Sequence, residues 1–152
     1  MAAAERPTRS DYAAWDEATL RWADVDVYGH VNNARYFELI DTAVNVFLAR
    51  ESGVDIRRLP AIGVVAEVGC RYFREVEYPG SVKLGIRVER LGNSSIIYRV
   101  GIFPAADDER PADEAAAEGR FVHVYVDNTD PARPSVPIPA QIRGAVQQLV
   151  TR

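Results

Sequence analysis

Six residues within ten positions carry groups that chemistry can use: Asp24, Asp26, Gly29, His30, Asn32 and Asn33, in the run DVDVYGHVNN. The one long helical pattern of the chain follows at once. A carboxylate can serve as base or nucleophile. The first turn of a helix presents unpaired N–H groups and the positive end of the macrodipole, which favour negative charge as it develops. Together they point to a site built on a helix N-terminus, with Gly29 letting the backbone turn tightly near Asp26. Each residue also has a structural reading. Asp24 and Asp26 can cap turns, His30 can bond a backbone carbonyl, and the side chains of Asn32 and Asn33 can cap the helix.

The elements that must position this cluster are legible from periodicity. Residues 19–23 alternate, with Leu20 and Trp22 on one face, which predicts a short strand. Residues 24–32 are loop formers. From about Asn33 the residues Tyr36, Phe37, Ile40, Ala43, Val44, Phe47 and Leu48 fall on one helix face, and Gly53 marks the helix end. Residues 62–72 then alternate in one phase through Ile62, Val64, Ala66, Val68, Cys70 and Tyr72, with Gly63 and Gly69 as places for a bulge. Residues 77–81 predict a turn, 82–88 a half-buried strand, 92–94 a turn and 96–102 another strand. Residues 104–118 predict a long hairpin tip, 121–127 a last strand, and 140–150 a terminal helix after the prolines at 131, 134, 137 and 139. The pattern predicts an α+β fold: a five-stranded antiparallel sheet wrapped around one long central helix, with a short C-terminal helix. It divides into an N-terminal leader (1–18), one domain (19–130) and a proline-rich tail with the helix (131–152).

Composition narrows the classes. A chain of 152 residues is one domain of a size that often completes its site at a subunit interface. A net charge of −4 argues against nucleic acid as a partner. No apolar run reaches the ~18 residues of a membrane span, and no signal peptide is seen, so a cytoplasmic protein without membrane insertion is expected. Cys70 is the single cysteine and lies on the apolar phase, where a buried, inert thiol is expected. The second histidine, His123, sits mid-strand, and no ligand pair with a known spacing suggests a metal.

The run from Asp24 to Phe37, placed between a first strand and the long helix, resembles the signature of the 4-hydroxybenzoyl-CoA thioesterase family of hotdog-fold proteins. It is most similar to the long-chain acyl-CoA thioesterase branch. The turn at 78–81, the turn at Asn93 and the proline-rich tail fit as well. The resemblance implies an acyl-CoA thioesterase that releases free carboxylic acid and CoA, in keeping with a place in fatty acid metabolism. It maps the family's catalytic aspartate, general base or nucleophile, to Asp26, and the carbonyl-polarising helix amide to the backbone N–H of Asn33, with His30 as a further candidate. Gly29, Asn32 and Tyr36 are implied substrate contacts. Asn93, Ser94 and Ser95 are implied to touch the coenzyme, whose phosphates Arg87 or Arg90 can meet. No metal and no cofactor beyond the substrate's own CoA are implied. A homodimer or homotetramer with interface sites is. Three rivals stand beside this: a module that binds acyl-CoA or acyl-carrier protein without cleaving it, a catalytic carboxylate on the helix itself at Glu38 or Asp41, and a hydratase on the same fold, whose loop-helix spacing is not found.

Overall fold

The computed structural model describes residues 5–105 and 113–150. Its elements are β1 (Ala14–Thr19), α1 (Asn33–Ser52), β2 (Ala61–Tyr72), β3 (Ser81–Leu91), β4 (Ser95–Pro104), β5 (Ala117–Asp127) and α2 (Ala140–Val146). All strand pairs are antiparallel, in the order β1-β3-β4-β5-β2. The sheet wraps α1, whose Tyr36, Leu39, Ile40, Ala43, Val44, Phe47 and Leu48 are buried against it. This is the expected hotdog architecture, with Leu39 on the core face in place of the half-buried Phe37.

α1 starts and stops on local signals. Asn32 is its N-cap, with Oδ1 accepting from the Ala34 N–H at 3.0 Å. Gly53 closes it at φ 71, the left-handed conformation that suits a residue without Cβ.

Three expectations need correction. The first strand is Ala14–Thr19, earlier than residues 19–23; Trp22 instead sits in a 3-10 turn, 77% exposed, edge-on to Tyr78. Its alternation with the buried Leu20 is therefore not a strand pattern. In β2 the phase is not constant. A bulge lies between Val65 and Glu67, away from either glycine, and the extra residue Ala66 reverses parity. Val68, Cys70 and Tyr72 thus share the inward side of Phe121, while Ile62 and Val64 point outward. The chain between 104 and 118 is only partly described; Ala117 and Glu118 already belong to β5, which extends four residues further toward the N-terminus than residues 121–127.

β2 forms an edge of the sheet, and Val65, Val68 and Tyr72 remain exposed along it. None of the helices described is long and apolar enough to cross a membrane.

Candidate active site

The segment before α1 is a small hairpin tied to its own carboxylates. Asp26 N–H donates to the His30 carbonyl at 2.8 Å, Gly29 N–H to the Asp26 carbonyl at 3.1 Å, and Val25 bridges Val31. Asp26 Oδ1 accepts from the N–H of Tyr28 at 2.9 Å and of His30 at 3.3 Å. Gly29, at φ 81, allows this reversal. Oδ2 of Asp26 has no hydrogen bond among the described residues, and the side chain is half-buried at the edge of a cavity of about 520 Å³. The same cavity is lined by Tyr28, His30, Asn33, Tyr36 and Tyr72. With Ala34 N–H taken by the cap and Arg35 N–H by the Asn32 carbonyl, the Asn33 N–H is the unpartnered amide at the head of α1. The residue that carries this carboxylate and the residue that carries this helix-end amide therefore line the same cavity.

Asp24 has the structural role. It is 2% exposed, accepts from the Arg21 N–H at 2.7 Å and from Arg21 Nη2 at 2.8 Å, and its carbonyl accepts from Asn32 N–H at 2.7 Å. Arg35 Nε stands 3.0 Å from Oδ1 as an ion pair whose N–H is not aligned for a hydrogen bond. Burial opposes the charge on Asp24, but the hydrogen bonds from Arg21 and the two guanidinium charges outweigh it and hold the carboxyl below its usual range. The clamp fixes the loop against the first turn of α1.

His30 turns to the mouth of the cavity, with Nε2 3.1 Å from Glu75 Oε2. Tyr72, not singled out as a site residue from sequence, donates its hydroxyl to the Asn33 carbonyl at 3.2 Å and packs edge-on to Tyr36 at 5.0 Å between centroids. Burial pushes both hydroxyls up to about 12, so they stay protonated at neutral pH. Only the strand-end position of Tyr72, at the limit of an alternating run, hinted at this. Glu38 pairs with Arg35, and Asp41 bonds the Asn45 side chain at 3.1 Å; neither lines this cavity. Burial pushes the half-buried Cys70 thiol up to about 11, away from thiolate chemistry. No cluster of metal-ligating residues occurs among the described residues.

Asn93, Ser94 and Ser95 are not brought to this cavity within one chain. Asn93 and Ser94 accept, through their carbonyls, from Ile138 and Tyr125 N–H at 2.9 and 2.7 Å, and Ser95 pairs with Val124. β5 runs from Ala117, opposite Tyr72, to that turn, so the turn lies at the far end of the sheet. Arg87 is engaged by Glu118 at 3.8 Å.

Comparison with known proteins agrees with this fold. The crystal structure of the PA5185 protein from Pseudomonas aeruginosa superposes with a TM-score of 0.87 at 40% identity, covering 97% of this chain and 98% of that one. The PA2801 protein of the same organism gives 0.75 at 28% identity, over 89% and 98%. Slr0204 of Synechocystis, a 1,4-dihydroxy-2-naphthoyl-CoA thioesterase, shares the fold at 0.74 with 14% identity, over 87% and 93%. No curated protein matches the chain. Residues 20–146 match the family described as the thioesterase-like superfamily, and the chain belongs to that superfamily.

Proposed function

We propose that this protein hydrolyses acyl-CoA thioesters to a carboxylic acid and CoA. The observation that carries this reading is that one cavity is lined by both Asp26, whose Oδ2 is free among the described residues, and Asn33, the first residue of α1. As general base, Asp26 takes a proton from water while the water oxygen attacks the thioester carbonyl carbon. The carbonyl oxygen becomes an oxyanion facing the Asn33 N–H, where the helix dipole adds to the hydrogen bond. Collapse breaks the C–S bond, and the departing CoA thiolate takes the proton back. As nucleophile, Asp26 Oδ2 attacks the same carbon, the C–S bond breaks as the CoA thiolate departs, and water then cleaves the mixed anhydride to the carboxylic acid and the free Asp26 carboxylate, the proton it releases going to the thiolate. Either route needs the same two groups.

The open edge of β2 supports a second part of the reading: two copies pair along β2, covering Val65, Val68 and Tyr72. In an antiparallel pairing centred on the middle of that strand, residues 61–63 of one copy come beside the Tyr72 end of the other. The far-end turn carrying Asn93 then has a route to the Asp26 cavity from the second copy. Sedimentation at micromolar concentration is expected to give a dimer or tetramer; a monomer would sink this part.

The test of the chemistry is thiol release from a panel of acyl-CoAs. Asp26→Asn keeps the size of the side chain and is expected to lower turnover by on the order of a hundredfold or more. Binding of acyl-CoA or acyl-carrier protein without any thiol release would favour the non-catalytic module instead.

A further inference from the structure

Residues 6–12 lie along the segment 113–116, and that segment in turn holds the chain that leaves β2. Arg9 N–H donates to the Asp113 carbonyl at 3.1 Å, Ala115 N–H donates to the Pro7 carbonyl at 2.8 Å, and Thr8 pairs with Glu114 between them in an antiparallel bridge. On its other side the segment is anchored to β4, where Ala116 N–H donates to the Ile102 carbonyl at 2.8 Å. The Ala116 carbonyl accepts from Phe73 N–H at 2.8 Å and from Arg74 N–H at 3.1 Å, and the Glu114 carbonyl accepts from Arg74 Nη2 at 3.3 Å. Phe73 and Arg74 stand next to Tyr72 in the wall of the Asp26 cavity. Side chains repeat the connection. Arg6 lies 3.6 Å from Glu114 and holds its guanidinium over the Phe73 ring, 5.7 Å from the centroid. Tyr12, Phe103 and Ala115 form a small apolar core separate from the main one, and the half-buried Phe73 packs against it. Phe73 therefore belongs both to the cavity wall and to a core that the N-terminal segment completes.

We propose that residues 6–12 are a positioning element of the Asp26 cavity: none of them lines it, and they hold the wall at residues 72–74 in the shape that receives the acyl thioester. This rests on the thioesterase reading above. A wall fixed before the substrate arrives does not have to be ordered on binding, so the contribution falls on KM. Asp26 and the head of α1 are tied elsewhere, through Val31 N–H to the Val76 carbonyl at 2.8 Å and Asn32 N–H to the Asp24 carbonyl at 2.7 Å. The turnover step is therefore insulated from residues 6–12, and kcat with it.

The experiment cuts the backbone link without touching the cavity. Arg9 is the first residue of a 3-10 turn, and Thr8 before it is extended at φ −116 and ψ 169, a setting that accepts Arg9→Pro. That variant deletes the side chain and the N–H bonded to Asp113, whereas Arg9→Ala deletes the side chain alone, so the difference between them reads the backbone link. KM is measured by thiol release for whichever of acetyl-, benzoyl- and dodecanoyl-CoA the native protein cleaves fastest. Arg9→Pro is expected to raise KM about fivefold over Arg9→Ala, with kcat within about twofold. Arg6→Ala, a change at an exposed ion pair that leaves the urea midpoint in place, is expected to raise KM about twofold by itself and to add nothing beside Phe73→Leu. Equal KM in the two Arg9 variants, a fall in kcat alone, or an Arg6→Ala effect that persists in full beside Phe73→Leu overturns the proposal; the Arg6 comparison decides alone if Arg9→Pro does not fold. If no thioester is cleaved, the thioesterase reading fails, and amide hydrogen exchange then decides the inference separately. Exchange at the Phe73 and Arg74 N–H groups is expected to be about tenfold faster in Arg9→Pro than in Arg9→Ala, with that at Val31 N–H within about twofold. Unchanged rates at Phe73 and Arg74, or an equal increase at all three, overturn it.

Discussion

The two ends of α1 solve opposite problems. At its N-terminus the polar groups are half-exposed and held by backbone: Asp26 by two loop amides, and the first turn by the Asn32 cap. At its C-terminal half the polar group is buried and held by nothing polar, since the His123 ring rests on aromatic neighbours. One end can present a charged group because water and N–H donors stabilise it. The other keeps its ring neutral, because burial pulls the His123 pKa down to about 4. The groups proposed to react sit in the first setting; the second holds a ring whose protonation burial opposes.

The sharpest test of that division is to remove each carboxylate of the N-terminal end in turn. Asp26→Asn is expected to abolish most turnover and leave the urea midpoint unchanged, because its side chain is half-buried and makes only two loop contacts. Asp24→Ala is expected to cost about 1–3 kcal/mol in urea denaturation, because it removes the buried acceptor of the Arg21 N–H that ties the loop down and faces Arg35 of the first helical turn. If both variants lost stability equally, the separation of a reacting carboxylate from a clamping one would be wrong.

The buried end is probed by pH. His123 has an ordinary value of 6.5 in the unfolded chain and about 4 in the fold. As pH falls below 6.5 the unfolded state takes up a proton that the folded state refuses. Stability is therefore expected to fall between pH 6.5 and 4 by on the order of 2 kcal/mol, and this contribution levels off below the folded value. Asp24, held below its usual range, adds a further loss at lower pH, as the pH falls through its folded value. Urea midpoints measured across this range should decline from 6.5 downward in the native protein. In His123→Phe the decline should begin only where carboxylates titrate.

What was legible from sequence follows the same division. The N-terminal end is local: loop formers, a cap and a helix face lie within one stretch, and residues 24–37 contain both the motif and its scaffold. Gly53 at the helix end is equally local. What could not be read depends on contacts distant in sequence. The bulge at Ala66 carries no glycine and shows only in the pairing of β2 with β5, so Ile62 and Val64 were placed on the wrong face. β1 is an edge strand whose Trp15 is partly exposed, and its alternation is weaker than the misleading pair Leu20 and Trp22. A second cavity, lined by His123, Gly63, Leu48 and Ile142, draws on four separate elements. The short run Asn93 to Ser95 carries polar side chains, but its backbone carbonyls and N–H groups account for its place in the fold.

The smallest expected effect separates two roles for Asn32. Its side chain accepts from Ala34 N–H, and its own N–H donates to the Asp24 carbonyl, so the residue is fastened on both sides to structure. Asn32→Ala removes the cap and leaves the Ala34 N–H for water, a loss of about 1 kcal/mol, or roughly 2–4 °C in Tm for a domain of this size. The backbone N–H of Asn33 is untouched by that change, and Asn33 still lines the Asp26 cavity. KM for an acyl-CoA is then expected to stay within about twofold of the native value, because one cap bond perturbs the helix start without removing a donor from it. A large rise in KM with an unchanged Tm would make the Asn32 side chain a substrate contact, and would place specificity at the half-exposed end of α1 where the reaction is proposed to occur.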